Sequence, residues 1–192
     1  MKIYFFDFDG TLFKRDSMIE FLLFLESYQL LFYLKNLIFI PIYLLFKTKI
    51  ISRTSVKEIF LKIHLFNKTK KEIELSSKNF SKYIIKYMYK DALDYLSKIE
   101  GEKCIVSASL DIWMNDIARE LNCNLISTES IFINKRFNRI DGKNCFGNEK
   151  VKKIKKYYNL LEYDTIYVFG DSDGDNEMLN LSDNSYYRFF NK

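Results

Sequence analysis

Lys2-Ile3-Tyr4-Phe5-Phe6 has the length and composition of a buried strand, and it runs directly into Asp7-Phe8-Asp9-Gly10-Thr11. Two carboxylates at i and i+2 on an extended chain share one face. Like charges that close cost stability unless a cation or a proton relieves them. The C-terminal end of a strand is also where open α/β sheets place their ligands. Read alone, such a stretch could be a polar turn; the rest of the chain decides what it is.

From about residue 91 a regular alternation begins. Ala92–Ile99 reads as a helix, and Lys103-Cys104-Ile105-Val106 as a strand ending in Ser107-Ala108-Ser109. Leu110–Leu121 is a second helix, Asn124–Ser127 a short strand, and residues 131–141 suggest a small hairpin. Glu149–Tyr158 is a helix, Thr165-Ile166-Tyr167-Val168-Phe169 a strand ending in Gly170-Asp171, Glu177–Leu181 a short helix, and Ser185–Phe189 a last strand. Strands alternating with helices predict an α/β fold built on a Rossmann-like parallel sheet with right-handed crossovers. At 192 residues, 48% of them hydrophobic, the chain suits one domain with a modest insertion. The spacing divides it into an α/β core at 1–11 and 91–192 and a helical segment at 12–90 inserted after the first strand.

In that insertion Asp16 or Ser17 is the predicted N-cap of the first helix, with Glu20 near the third position of a capping box. From Phe21 to Phe46 the only charges are Glu26 and Lys35. Lys35-Asn36 divides this run, and Pro41 is expected to break its second half. The first acids precede the run and every other candidate site residue follows it, so a single membrane crossing would split the site. Two crossings need about 40 residues, more than the run contains. A helical hairpin packed on the protein or lying on a membrane surface is expected. Residues 47–90 then carry twelve Lys or Arg against three acids, a local charge of +9. That stretch reads as a solvated helical face, or as one that attracts anionic head groups or an anionic substrate. No nucleic-acid motif accompanies it. His64, the single histidine, sits among apolar neighbours and reads as a packed core residue.

Three cysteines without zinc-type spacing predict no disulfide framework, and with acids at positions 7 and 9 following the first strand no secretory signal is expected. A reducing, cytoplasmic setting follows as an expectation, with peripheral association to the cytoplasmic face of a membrane.

Three strands end in polar groups: Asp7 and Asp9, Ser107 and Ser109, and Asp171 within Gly170-Asp171-Ser172-Asp173-Gly174-Asp175. Lys150 opens the helix before the last of these. In a parallel sheet such ends line one edge and can converge on one pocket. Carboxylates without histidine or cysteine describe a hard, oxygen-donor site that suits Mg²⁺. A hydroxyl and a lysine beside it suit a phosphoryl group, whose charge must be neutralised during transfer.

In that order, D-F-D-G-T, a strand ending in S-A-S, Lys150 and G-D-S-D-G-D, the chain resembles the haloacid dehalogenase-like hydrolase superfamily in its phosphatase branch. The phrases around Ser107, Asn144–Val151 and Gly170–Leu179 are most similar to its phosphoserine-phosphatase-like subgroup, nearest to members resembling phosphatidylglycerophosphatase C. The resemblance implies that fold with a helical cap of the first type inserted after the first strand. It implies Asp7 as nucleophile forming an aspartyl-phosphate, and Asp9 as the acid and then the base. It implies Mg²⁺ held by the Asp7 carboxylate, the Asp9 backbone carbonyl and Asp171, with Asp175 as a further ligand or a partner to one. Ser107 and Lys150 would hold the phosphoryl oxygens, and Thr11 would orient the nucleophile. For specificity the matching positions are Asp16, with Glu20 further on, and Arg53. The expected activity is Mg²⁺-dependent hydrolysis of a phosphate monoester, on a lipid or amphiphilic phosphate such as phosphatidylglycerophosphate. Alternatives are a soluble small-metabolite phosphatase and a non-catalytic membrane-surface or partner-binding protein on the same fold.

Overall fold

A computed structural model describes residues 1–26 and 28–190; residues 27, 191 and 192, which fall in the expected hairpin and core, lie outside the described residues. Strands β1 (Lys2–Phe6), β2 (Glu102–Leu110), β3 (Asn124–Ile133), β4 (Arg136–Asp141), β5 (Thr165–Gly170) and β6 (Asn184–Tyr187) form one sheet in the order β4-β3-β2-β1-β5-β6. Every neighbouring pair is parallel except β3 with β4. That antiparallel pair is the hairpin expected at 131–141, and it closes through Asn134 and Lys135, both at positive φ. Two positive-φ residues make the turn whose twist matches its strands. The third strand runs straight into this hairpin, so it is far longer than the Asn124–Ser127 core that its composition suggested.

Alternation along β1 divides the interior. Tyr4 and Phe6 face a cluster that includes Ala92 and Leu96 of α5 (Lys90–Lys98) and Trp113 and Ile117 of α6 (Asp111–Glu120). Ile3 and Phe5 face another, with Val106, Val168, Ile154 of α7 (Asn148–Tyr157) and Met178 of α8 (Asn176–Leu179). The register sets Tyr4 against Tyr167 and Phe6 against Phe169, each pair stacked at 4.6 Å, and Phe169 stacks on Tyr186 at 4.7 Å. Such pairs contribute about 0.5–1.5 kcal/mol each beyond the area they bury. Much of the aromatic content of the core strands is therefore structural.

Between the first two strands lie α1 (Ser17–Leu25), α2 (Gln29–Lys47), α3 (Arg53–Leu65) and α4 (Lys70–Ile85). The chain enters and leaves this segment at one place: Phe13 bridges Met88, and the Tyr89 amide donates to the Leu12 carbonyl at 3.1 Å. α4 packs on α6, and Phe21 stacks on Trp113 while meeting Phe80 edge-on. Asp16 caps α1 by accepting from the Ile19 amide at 2.9 Å. Glu20 does not complete a capping box, because it lies one residue too far into the helix, and it pairs instead with Arg15 at 2.9 Å.

Pro41 does not break the helix; α2 is continuous through it and through Lys35-Asn36. The proline costs the Leu37 carbonyl its helical donor, but both residues lie on the exposed side, where water can serve that carbonyl. Lys35 is accommodated inward: it pairs with Glu26 and donates to the His64 carbonyl at 2.9 Å. His64 is buried between the Phe32 and Phe60 rings, and neither of its ring nitrogens has a hydrogen-bond partner among the described residues. Burial holds its pKa down at about 4, with Lys35 adding to the effect. By length and composition α2 could cross a membrane, yet its inner side packs on α3 through Phe32 and Phe39.

Candidate active site

Asp7 leaves the end of β1 with its amide bonded to the Phe169 carbonyl at 2.9 Å, which fixes it at the sheet edge beside β5. Lys150, in the first turn of α7, is 2% exposed and reaches Asp7 at 2.5 Å and Asp175 at 2.7 Å. A buried ammonium persists only where carboxylates offset its lost hydration, and burial alone would lower its pKa; Asp7 and Asp175 raise it instead. The first and last motifs are thus joined through one cation.

Donor oxygens of Asp7, Asp171 and Asp175 lie within 4.8 Å of one another. Their supports are specific. The Thr11 hydroxyl donates to Asp171 at 3.2 Å, and the Ser172 hydroxyl and the amides of Asp171 and Ser172 donate to Asp175 at 2.9–3.2 Å. Gly10 sits at φ +85°, where a Cβ would fall 2.2 Å from Asp171 Oδ2. Only glycine lets the first motif's turn approach the last motif so closely. Burial raises the Asp7 carboxyl to about 7 against the pull of Lys150, with Asp175 and Asp171 adding to the rise. Burial also raises Asp171, while for Asp175 it is outweighed by Lys150 and Ser172, and that group is held low.

The Asp9 carboxylate points elsewhere. It accepts from the Ser17 amide at 2.8 Å and the Ser109 hydroxyl at 3.2 Å, and the Ser17 and Ser109 hydroxyls are 2.8 Å apart. Burial, then Asp16 and Asp7, raise it to about 8. Asp7 and Asp9 therefore differ in partners: one faces a lysine, the other hydroxyls and an amide.

The strand expected to end in S-A-S does so within one residue, since β2 extends to Leu110, and its pairing with β3 shifts register between Val106 and Leu110. Ser107 is fully buried and its hydroxyl oxygen accepts from the Ser109 amide at 3.0 Å. The Thr11 hydroxyl is committed to Asp171.

A cavity of about 410 Å³ opens over these groups, with Asp7, Asp9, Lys150 and Asp175 among its lining. Asp16 and Arg53 line it as well, the Arg53 guanidinium 4.0 Å from the Phe146 ring centre; Glu20 does not. Its walls are apolar, from Met18 and Ile19 of α1, Phe39, Tyr43 and Phe46 of α2, and Val56 and Phe60 of α3. Lys57 was not among the residues singled out from sequence. Its ammonium donates to the Ala108 carbonyl at 2.5 Å and to Asn144 Oδ1 at 3.0 Å, tying α3 to two core motifs. Burial pushes it down to about 8, with Asp16 and Asp9 acting to keep it charged. Its position four residues after Arg53, on the same helix face, was the available signal. Ser17 likewise was read only as a cap, although its amide holds Asp9.

The profile of the haloacid dehalogenase-like hydrolases matches residues 4–180. Protein CicA of Caulobacter vibrioides is 28% identical over 96% of this chain and 85% of its own length. A Bordetella pertussis protein of unknown function has a similar structure, with a TM-score of 0.81 at 20% identity over 96% of this chain and 88% of that one. A phosphoserine phosphohydrolase-like protein from Francisella tularensis superposes with a TM-score of 0.64 at 21% identity, covering 97% and 95% of the two chains.

Proposed function

The chain belongs to the haloacid dehalogenase-like hydrolases, and from that premise we propose that it hydrolyses a phosphate monoester through a phosphoryl group carried on Asp7. The observation that carries this reading is the division of labour between the two N-terminal acids. Asp7 lies against Lys150 at 2.5 Å, while Asp9 is bonded to Ser17 and Ser109 and raised to about 8 by burial and its acidic neighbours.

In the first step an Asp7 oxygen forms a bond to phosphorus as the ester P–O bond breaks. The leaving alkoxide takes the Asp9 proton. In the second step Asp9 accepts a proton from water, whose oxygen bonds to phosphorus while the Asp7 carboxylate departs. Lys150 stays charged throughout and holds Asp7 ready for attack, offsetting the burial that favours its protonated form. The apolar walls exclude competing water from the phosphoryl group.

The donor set fits Mg²⁺: hard oxygens of Asp7, Asp171 and Asp175 converge, and the missing Gly10 side chain leaves room for Asp171 to approach. When bound, that ion supplies positive charge to the developing phosphoryl charge.

For the substrate, a charged floor under aromatic and aliphatic walls supports an amphiphilic or lipid phosphate, of which phosphatidylglycerophosphate is one chemistry. Asp16 and Arg53 on the same cavity support a second reading, a compact metabolite with charges of both signs such as phosphoserine. Initial rates of phosphate release from an aryl phosphate, phosphatidylglycerophosphate, phosphoserine and a sugar phosphate, each with and without Mg²⁺, test both levels. The account expects Mg²⁺-dependent release, fastest for the lipid. Metal-independent release would overturn the chemistry, and a preference for phosphoserine would overturn only the substrate class.

A further inference from the structure

Little of α2 is buried, and its outward side is apolar, because Lys35 turns inward to Glu26 and the His64 carbonyl. Phe32 is the one residue of this helix classed as buried, whereas Leu30, Leu37, Ile38 and Leu44 are each 60–68% exposed. A large exposed apolar helix face marks a surface that meets a partner or lipid. Its 19 residues give a strip about 28 Å long. Between Glu26 and Glu58 the chain has no acid, while Lys47 and Lys49 end the strip, both exposed.

We propose that the outer face of α2 is an interfacial docking surface for an anionic lipid bilayer. Two observations select that occupant. Charge complementarity is the first: a second copy offers this strip the same lysines and no acid to meet them, whereas an anionic head-group layer neutralises both. Continuity with the site is the second. The inner side of the same helix supplies Phe39, Tyr43 and Phe46 to the cavity, so a bilayer on its outer side brings an amphiphile to the cavity wall. A spanning helix would have to leave its packing on Phe60 and His64. Lying in the interface, it need not. Docking deepens the amphiphilic-substrate reading, and its test measures binding alone, so the two can fail separately.

The full chain is floated with phosphatidylcholine vesicles and with vesicles that also contain phosphatidylglycerol, at low and high salt. Binding is expected to the anionic vesicles, weakened by salt. It should be lost in a Leu37→Glu/Leu44→Glu pair. In Lys47→Glu/Lys49→Glu it should fall by roughly fivefold or more for each lysine. None of these residues is placed at the reacting groups, so aryl phosphate hydrolysis and the melting temperature report that each variant is folded. Absence of wild-type binding, or undiminished binding by the Leu37→Glu/Leu44→Glu pair, would overturn the proposal. A concentration-dependent dimer that this pair dissolves, with no vesicle binding, would assign the face to a second copy instead.

Discussion

Gly10→Ala tests whether close approach of the first and last motifs is what assembles the site, because the structure provides its own control. Gly10 lies at φ +85° and Gly142 at φ +70°, so alanine at either meets a similar backbone penalty. That penalty is about 1–2 kcal/mol, partly offset by the entropy alanine removes from the unfolded chain. At Gly142 nothing lies within 4 Å of an added Cβ; at Gly10 the Cβ would fall 2.2 Å from Asp171 Oδ2 and 2.6 Å from its Cγ. Restoring van der Waals contact moves that carboxylate by roughly 1 Å. The shift breaks the 3.2 Å bond from Thr11 and withdraws Asp171 from Asp7 and Asp175. Misplacement of that size costs about 100-fold in rate. Both variants should melt a few degrees below wild type, about 2–4 °C per kcal/mol. Only Gly10→Ala should lose about two orders of magnitude in aryl phosphate turnover, with weaker Mg²⁺ binding by calorimetry. Equal activities for the two alanine variants would refute the reasoning.

Three further outcomes follow from the charges. Lys150→Met leaves Asp7 and Asp175 buried without their cation, and denaturant titration at neutral pH should show a loss of about 3–5 kcal/mol; an unchanged midpoint would contradict the triad. Asp9→Asn removes the proton donor, so first-turnover release of alcohol from alkyl phosphates should fall about 10²–10⁴-fold, and that of nitrophenol from p-nitrophenyl phosphate, whose leaving group needs no proton, much less. A uniform loss of this first-turnover rate across leaving groups would count against Asp9 as the acid. His64 has its folded pKa lowered from 6.5 to about 4, so the neutral form contributes stability in full above pH 6.5, and that contribution is lost as pH falls from 6.5 to 4. The linkage amounts to about 3 kcal/mol. Wild type should therefore lose that much more stability over this interval than His64→Phe in parallel melts; parallel curves would reject it.

The order of strands and helices in the core was legible in the sequence because each strand there is a short apolar run closed by polar residues. The same pattern drew attention to Asp7, Asp9 and Asp171, and Lys150 was singled out as the basic residue opening the helix before the last of them. Two kinds of feature were not legible. One is secondary structure that tertiary context overrides: Pro41 stays helical because its face is exposed. The other is partner choice. Nothing local says that Thr11 engages Asp171, that the Ser17 amide holds Asp9, or that Lys57 crosses from α3 to Ala108 and Asn144. Those contacts span 8 to 160 residues of sequence and exist only once the sheet has assembled and the helical insertion has folded onto it.

Whether phosphorus passes through Asp7 is the central claim, and acid-quenched mass spectrometry of the working enzyme addresses it directly. After rapid mixing with p-nitrophenyl phosphate and Mg²⁺, the account predicts a phosphoryl adduct on the peptide bearing Asp7. It also predicts neither adduct nor turnover in Asp7→Asn. Turnover that persists in Asp7→Asn, or an adduct on another residue, would contradict it.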